Sequence, residues 1–179
     1  MSGRVAYIAA SLDGFIAAED GSVAWLEAFQ ATDYGYADFF GGIGMLVMGR
    51  ATYDQVLRFG PCPYAGKPCL VLSRRGIAHP PAGVEAWKGD LASLAAHLRA
   101  AKERVWVVGG GQLIAGLLAE GAITELDLFV MPVLLGRGIP LFAGVHPPAQ
   151  QLTLLDTQTW PNGVVRLRYA IAAATPAKA

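Results

Sequence analysis

The chain has 179 residues and a mass of 18.8 kDa, which is the size of one ordinary domain. Apolar residues make up 54% of the chain and charged residues only 16%, and this composition excludes a disordered polypeptide. Lysine and arginine together number 14, and aspartate and glutamate also number 14. The resulting zero net charge argues against nucleic acid or an anionic membrane as the main partner.

The sequence carries no signal for a membrane span, for secretion or for a metal. No apolar run reaches the roughly 20 residues of a membrane span, and Ser11 and Asp13 interrupt the first apolar stretch too early for a signal peptide. Cys62 and Cys69 have no histidine at ligand spacing, and the three histidines lie in dissimilar surroundings that favour structural or surface roles. We therefore expect a cytoplasmic protein without a bound metal.

In the first half of the chain, short apolar runs alternate with helical patterns. Residues 4–10 predict a buried strand, and residues 45–48, which are all apolar, predict a central strand. A helical pattern over 50–59 ends at Gly60-Pro61, which is a stop signal. Shorter helical segments and strands are also predicted, at Ala24–Phe29, 33–40, 68–72 and Val84–Trp87.

The second half continues this alternation. Asp90 predicts the cap of a helix whose leucines recur at helical spacing. Residues 105–108 predict a buried strand that leads into three glycines and then into a helix over 112–120. Glu125–Met131 predicts a long strand with apolar residues on both faces towards its end, and this second apolar face leads us to expect a homodimer formed through Phe129 and Met131.

The end of the chain predicts a β-hairpin. An Asn-Gly pair at 162–163 lies between the β-type runs 152–159 and 164–171, which is a strong hairpin signal. Together with the alternating strands and helices, the hairpin predicts an α/β fold whose mostly parallel sheet has about eight strands, with about four helices and an antiparallel edge. We expect a single domain over 1–172 and a flexible tail over 173–179.

Three glycines at the end of one strand form the strongest candidate for a ligand site. Gly109, Gly110 and Gly111 let the backbone approach a ligand closely, and the helix that follows offers free N–H groups and the positive end of its dipole to a diphosphate. The alternative is a tight turn without a ligand. The pattern also departs from the dinucleotide-binding fingerprint, because Ile114 occupies the place of the third glycine.

Two further strand ends carry residues that bind phosphate. Gly49-Arg50-Ala51-Thr52 opens a helix with a guanidinium and a hydroxyl, and the alternative is a solvated arginine beside a capping threonine. Ser73, Arg74 and Arg75 follow another strand and suit the 2′-phosphate of NADP, and the alternative is a solvated basic loop. Because the carboxyl ends of parallel strands lie at one edge of a sheet, the three segments predict a single phosphate-binding crevice.

Few carboxylates are candidates for acid–base chemistry. Asp33 precedes an aromatic segment, and an apolar surround would favour its protonated form and let it serve as a proton source. The competing interpretation is a helix cap, which suits the pair Thr32-Asp33. Asp13, which precedes Gly14, is most simply a turn residue.

The motifs together resemble the dihydrofolate reductase superfamily. The branch they resemble is the C-terminal reductase domain of bacterial riboflavin-biosynthesis deaminase-reductases. The resemblance covers nearly the whole chain and rests on five short motifs in the same order, namely SLDGFIA (11–17), MGRATY (48–53), VLSR (71–74), VVGGG (107–111) and PVLLGRGIPLF (132–142). It implies a three-layer fold with a central mixed sheet, and NADPH as the hydride donor.

The resemblance also implies roles for individual residues. The diphosphate side of the cofactor would be contacted by Gly49, Arg50, Ala51 and Thr52 and cradled by Gly109, Gly110, Gly111, Gln112 and Leu113, with a cis peptide at Gly109-Gly110. Ser73 and Arg74 would hold the 2′-phosphate. Ala10 and the loop from Asp13 to Ile16 would lie by the nicotinamide, and Asp33 would occupy the place of the folate reductases' active-site carboxylate.

The sequence also departs from these relatives. Lys67 stands where folate reductases have an arginine that clamps the substrate's carboxylate, and a lysine cannot make that bidentate contact. The zinc-deaminase half of the riboflavin enzyme is absent. We expect an NADPH-dependent reductase of a C=N or C=O bond in a small, pteridine- or pyrimidine-like substrate. The alternatives are dihydrofolate reductase, ribosylaminopyrimidine reductase, and a nucleotide-binding module without turnover.

Overall fold

The computed structural model describes residues 3–60, 63–64, 66–144 and 149–172. The predicted tail and Cys62 lie outside these residues. Within them the chain forms ten strands, β1 (Arg4–Ser11), β2 (Phe15–Ala17), β3 (Met45–Gly49), β4 (Cys69–Leu72), β5 (Val84–Trp87), β6 (Val105–Gly109), β7 (Glu125–Met131), β8 (Ile139–Pro140), β9 (Leu152–Thr159) and β10 (Val165–Ile171). The helices are α1 (Tyr36–Gly41), α2 (Arg50–Arg58), α3 (Leu91–Ala100) and α4 (Gly111–Ala119), with a 3-10 helix at Ala24–Phe29.

Eight of these strands form one central sheet in the order β5-β4-β3-β6-β1-β7-β10-β9. The six strands from β5 to β7 are parallel, whereas β10 pairs antiparallel with both β7 and β9. The predicted α/β fold, with a mostly parallel sheet and an antiparallel hairpin at one side, is therefore confirmed. The carboxyl ends of β1, β3, β4 and β6 consequently meet at one edge of the sheet.

Helices cover both faces of the sheet, which gives three layers. Successive residues of a strand point to opposite faces, so Val5 packs with Phe39 of α1 while Ala6 packs with Leu94 of α3 and Leu117 of α4. The strands between the two helical layers are buried on both sides. This burial explains why their sequences are continuous apolar runs rather than alternating ones. Within the described residues, no helix is both long and apolar enough to span a membrane.

Several predicted boundaries shift, and one predicted cap is wrong. Asp90 caps α3 as predicted, because its carboxylate accepts a hydrogen bond of 2.8 Å from the Ser93 amide. The helix predicted over 33–40 begins only at Tyr36, after Gly35, whose positive φ of 77° places the chain in the left-handed region. Asp33 therefore does not cap it. Its carboxylate instead accepts the Gly35 amide at 2.8 Å in a local turn.

The expectation that Phe129 and Met131 form a dimer surface is wrong. Their exposed fractions are only 5% and 3%, because the segment around the 3-10 helix and Trp160 covers this part of the sheet within the same chain. The side chains exposed at this end of the sheet belong instead to β9. This edge strand carries three exposed leucines, Leu152, Leu154 and Leu155.

Candidate functional site

The ends of β3 and β6 lie in direct contact. A Cβ placed on Gly49 would lie 3.8 Å from the Gly109 carbonyl oxygen and from the Gly110 nitrogen. A Cβ on Gly110 would lie 3.4 Å from the Thr52 hydroxyl oxygen in the first turn of α2. The starts of α2 and α4 therefore face the same space, as the crevice prediction requires.

This edge of the sheet opens into a cleft of about 1520 Å³. That volume exceeds the several hundred cubic ångströms of an ordinary small-ligand pocket, so the cleft has room for a dinucleotide together with a second molecule. Eleven of the predicted cofactor residues line it, namely Ile16, Gly49, Arg50, Ala51, Thr52, Arg74, Gly109, Gly110, Gly111, Gln112 and Leu113. Ser73 lines an adjoining hollow of about 530 Å³, together with Arg50, Arg74 and Arg75.

The start of α4 has no side-chain cap. Gly110 precedes the helix in an extended conformation and has no side chain that could accept from the first N–H groups. Uncapped N–H groups at the start of a helix are suited to binding an anion. The peptide bond between Gly109 and Gly110 is cis, as the resemblance implies. Gly111 is required for packing, because a Cβ there would lie 2.2 Å from the Pro140 carbonyl oxygen.

Arg50 connects two of the three strand ends. Its Nε donates to the Asp54 carboxylate at 2.8 Å, and its Nη1 donates to the Gly76 carbonyl at 2.8 Å. Ser73 is buried, and its hydroxyl donates to the same carbonyl at 3.2 Å. The loop after β4 and the first turn of α2 are thus held together. This contact places the exposed Arg74 beside the cleft.

Three predicted site residues line neither the cleft nor the adjoining hollow. Ala10 is buried in the core, and Asp33 is exposed in its turn. Asp13 links two loops, since its carboxylate accepts the Ser11 hydroxyl at 2.6 Å, the Leu135 amide at 3.1 Å and the Gly136 amide at 2.7 Å. The Ser11 hydrogen bond, and then those two amides, lower the pKa of Asp13. Asp13 thereby ties the loop after β1 to the loop after β7.

Lys67 also lies outside the cleft lining. Its ammonium donates to the Ile43 carbonyl and lies 4.8 Å from the centre of the Phe40 ring. Both contacts fix the lysine to the segment between α1 and β3. It therefore supports the local structure and does not present a charge to a ligand in the cleft.

The inner wall of the cleft is aromatic, and it was not predicted from the sequence. Tyr7, Tyr34, Tyr36, Trp106 and Phe129 all line this wall. The Tyr7 ring stacks on Phe39 with 3.8 Å between the ring centres, and burial is the main cause that raises the pKa of Tyr7 to about 12. Such a wall suits a flat, ring-shaped ligand. The available sequence signal was the aromatic residues that follow Asp33, which were interpreted as a helical segment and as an apolar surround for that carboxylate. Tyr7, Trp106 and Phe129 lie on separate strands.

A buried charge cluster lies beside this wall and was also missed. The Asp127 carboxylate accepts two hydrogen bonds from Arg166, at 2.7 Å to Nε and 2.6 Å to Nη2. The Arg166 guanidinium lies 5.3 Å from the centre of the Phe129 ring. In the described part of the chain, no group of three or more side chains is arranged to hold a metal.

The fold and the glycine-lined cleft define an α/β domain with a ligand-sized cleft at the carboxyl edge of its sheet, and comparison with known proteins narrows the class. Residues 5–166 match the family model of the RibD C-terminal domain. The chain belongs to this family.

Individual relatives support the assignment. The uncharacterized protein YwjB of Bacillus subtilis (strain 168) is 39% identical over 141 residues, covering 77% of this chain and 81% of YwjB. A crystal structure from Shewanella sp. PV-4, of a protein whose name assigns it to riboflavin biosynthesis, is 31% identical and superposes with a TM-score of 0.81, covering 95% of this chain and 99% of that one.

A more distant structure shares the fold alone. It is the diaminohydroxyphosphoribosylaminopyrimidine deaminase/5-amino-6-(5-phosphoribosylamino)uracil reductase of Thermotoga maritima, which is 17% identical with a TM-score of 0.69. The match covers 96% of this chain but only 57% of the Thermotoga protein. This chain therefore corresponds to about half of that two-activity enzyme.

Proposed function

We propose that this protein is an NADPH-dependent oxidoreductase that reduces a C=N or C=O bond in a small, pteridine- or pyrimidine-like molecule. The observation that carries the proposal is the meeting of three strand ends at one cleft, where glycine backbone, a free helix start and two arginines face the same space. The family assignment supports a reductase, and the activity in the name of the Thermotoga protein suggests the substrate class.

The residues of the cleft suit the parts of NADPH. Residues 109–113 and 49–52 would hold the diphosphate, because glycine backbone and the N–H groups at two helix starts favour a doubly charged anion. Arg74 and Ser73 would hold the 2′-phosphate, and Ala10, Asp13 and Ile16 would support the nicotinamide side. When bound, NADPH supplies the hydride.

Reduction of a C=N or C=O bond also needs a proton on the heteroatom, and Asp33 remains our candidate for its relay. Asp33 lies outside the cleft lining, so it can act only through water. Its charge still reaches the inner wall, where it adds to the effect of burial in raising the pKa of Tyr7. We expect Asp33→Asn to lower kcat at least about tenfold, with little change in NADPH affinity, since general acid catalysis contributes about a hundredfold or more.

The test of the cofactor is a titration of the purified protein with NADPH and with NADH. We expect Arg74→Ala to weaken NADPH binding about tenfold or more and to leave NADH binding unchanged, since a guanidinium–phosphate contact is a charge-assisted hydrogen bond. Arg99→Ala is the matched control, because it removes the same charge from the last turn of α3, where the guanidinium donates to the Glu120 carbonyl and lines neither the cleft nor the adjoining hollow. Equal affinities for the two cofactors would refute the role of Arg74, and no binding of either would refute the proposal.

The alternatives make different predictions. Dihydrofolate reductase would reduce dihydrofolate directly, and the attachment of Lys67 to Ile43 disfavours it because no clamp for the substrate's carboxylate is supplied there. Ribosylaminopyrimidine reductase would oxidise NADPH only with the phosphorylated pyrimidine. A nucleotide-binding module would bind NADPH tightly and oxidise it with neither substrate.

We further propose that the protein forms a homodimer through β9. This edge strand is exposed along its whole length, and its leucines include Leu154 with an exposed fraction of 53%. Unpaired edge strands with apolar side chains readily pair with another chain. Light scattering at micromolar concentration would show twice the chain mass if the proposal holds, and a monomer mass would contradict it.

A further inference from the structure

The turn of the β9–β10 hairpin reaches the cleft. Gly163, whose φ is +85°, packs against the end of β7, since a Cβ there would lie 3.3 Å from Cγ of Pro132. The Trp160 ring lies 5.0 Å from Tyr34 and 6.0 Å from Phe129, measured between ring centres. The turn of the hairpin, about 130 residues after Tyr34 in the chain, therefore contacts the inner wall of the cleft.

Asn162, at the tip of this turn, contacts two hydroxyl groups of the cleft. Its Nδ2 donates to the Tyr34 hydroxyl oxygen at 2.7 Å and to the Thr32 hydroxyl oxygen at 3.1 Å. Its Oδ1 accepts the Val164 amide at 3.4 Å. These contacts determine the orientation of the amide, because a flipped side chain would turn its oxygen towards the hydroxyls and its NH₂ group towards a backbone N–H.

The direction of these bonds determines what the hydroxyls can do. A hydroxyl that accepts from Asn162 keeps its own proton for another acceptor. Thr32 and Tyr34 both line the cleft, and within the described residues neither donates to a protein group. Both therefore have a proton available for a ligand.

We propose that Thr32 and Tyr34 bind the substrate as hydrogen-bond donors and that Asn162 is the positioning residue that makes them donors. The substrate then presents an acceptor to this wall, either a ring carbonyl or an unprotonated ring nitrogen, and not an amino group. The inference rests on the proposed function, since it specifies the ring chemistry that the same cleft selects. The aromatic partners of Tyr34, which are Phe129 and Trp160, hold its ring in place.

The test uses two six-membered ring probes of similar size, uracil with two carbonyls and 1,3-diaminobenzene with two amino groups and no ring nitrogen. Calorimetry with the NADPH-loaded protein is expected to show uracil bound about tenfold tighter or more, which is the effect of one to two neutral hydrogen bonds. In Asn162→Asp the carboxylate accepts from both hydroxyls and turns their lone pairs towards the cleft. We expect this variant to lose the preference or reverse it.

Three further variants separate positioning from folding. Asn162→Gly keeps a turn-forming residue but removes the amide, and it should weaken the preference less than Asn162→Asp does. Tyr34→Phe and Thr32→Val should each reduce uracil binding about threefold to tenfold without changing NADPH affinity, since each loses one donor.

The outcomes distinguish this inference from the function beneath it. If the wild-type protein binds NADPH but shows no preference for uracil, or binds neither probe at millimolar concentration, the inference fails and the reductase proposal survives. An unchanged preference in a folded, NADPH-binding Asn162→Asp protein overturns the role of Asn162. If the wild-type protein does not bind NADPH, the proposed function itself fails.

Discussion

Replacing Arg166 with methionine tests the buried charge cluster. The Asp127 side chain is only 3% exposed, and Arg166, itself 18% exposed, makes both of its short contacts. Removing one partner of a buried pair costs about 3–5 kcal/mol, because the remaining charge is left desolvated. Arg168 offers partial compensation, with its Nε at 3.7 Å from Asp127. We therefore expect Arg166→Met to lower the free energy of unfolding by about 3 kcal/mol, the low end of that range.

Urea unfolding followed by tryptophan fluorescence measures this loss, and two variants control it. Arg168→Met should cost about 1 kcal/mol or less, because its longer contacts are partly exposed to solvent. Asp127→Leu combined with Arg166→Met should recover most of the stability, since the pair is then replaced by apolar groups. The reasoning is refuted if Arg166→Met costs less than about 1 kcal/mol, or if the double variant is no more stable than the single one.

Three further predictions concern packing, pH and assembly. Gly111→Ala should lower the melting temperature and abolish NADPH binding, because its Cβ would lie 2.2 Å from the Pro140 carbonyl oxygen. Gly41→Ala is the control and should change neither property, because its Cβ would have nothing within 4 Å. Equal effects of the two substitutions would contradict the packing argument. The folded-state pKa of Asp13 is lowered, so its carboxylate stabilises the fold above about pH 4 and less as pH falls through the lowered pKa. Melting curves should therefore separate wild type from Asp13→Asn at pH 7 and converge near pH 2, and a constant difference would contradict this. Leu154→Arg should convert a dimer to a monomer in light scattering without lowering NADPH affinity, and a dimer that persists would show that β9 is not the contact.

The sequence was sufficient for the central sheet and for the glycine-lined end of the cleft. Continuous apolar runs such as 45–48 and 105–108 occur where a strand is covered on both faces, and each run is followed by glycine where the chain passes from strand to helix. Both signals are local. The strands β2 and β8 were not predicted, because strands of three and two residues are too short to show an alternation of apolar and polar residues.

The inner wall could not be predicted for a different reason. Phe129 lies on the second apolar face of β7, and the sequence alone suggested that a second chain buries this face. The actual cover comes from a segment about 100 residues earlier together with Trp160, and no local spacing encodes such a contact. Asn162 was likewise interpreted only as a turn residue, and its hydrogen bonds to Thr32 and Tyr34 could not be predicted from its position in the sequence.

The short strand β8 and the residue before it make two close contacts with neighbouring elements. On one side it meets Gly111 of α4, and beside it Gly138 approaches the Ala17 carbonyl of β2 so closely that a Cβ would lie 2.2 Å from that oxygen. The segment that contains β8 is therefore packed tightly between α4 and β2, and one added methyl group on either glycine would force its neighbours apart. A redesign of the proposed cofactor preference should therefore keep both glycines and vary Arg74 and Arg75 instead, whose side chains are exposed.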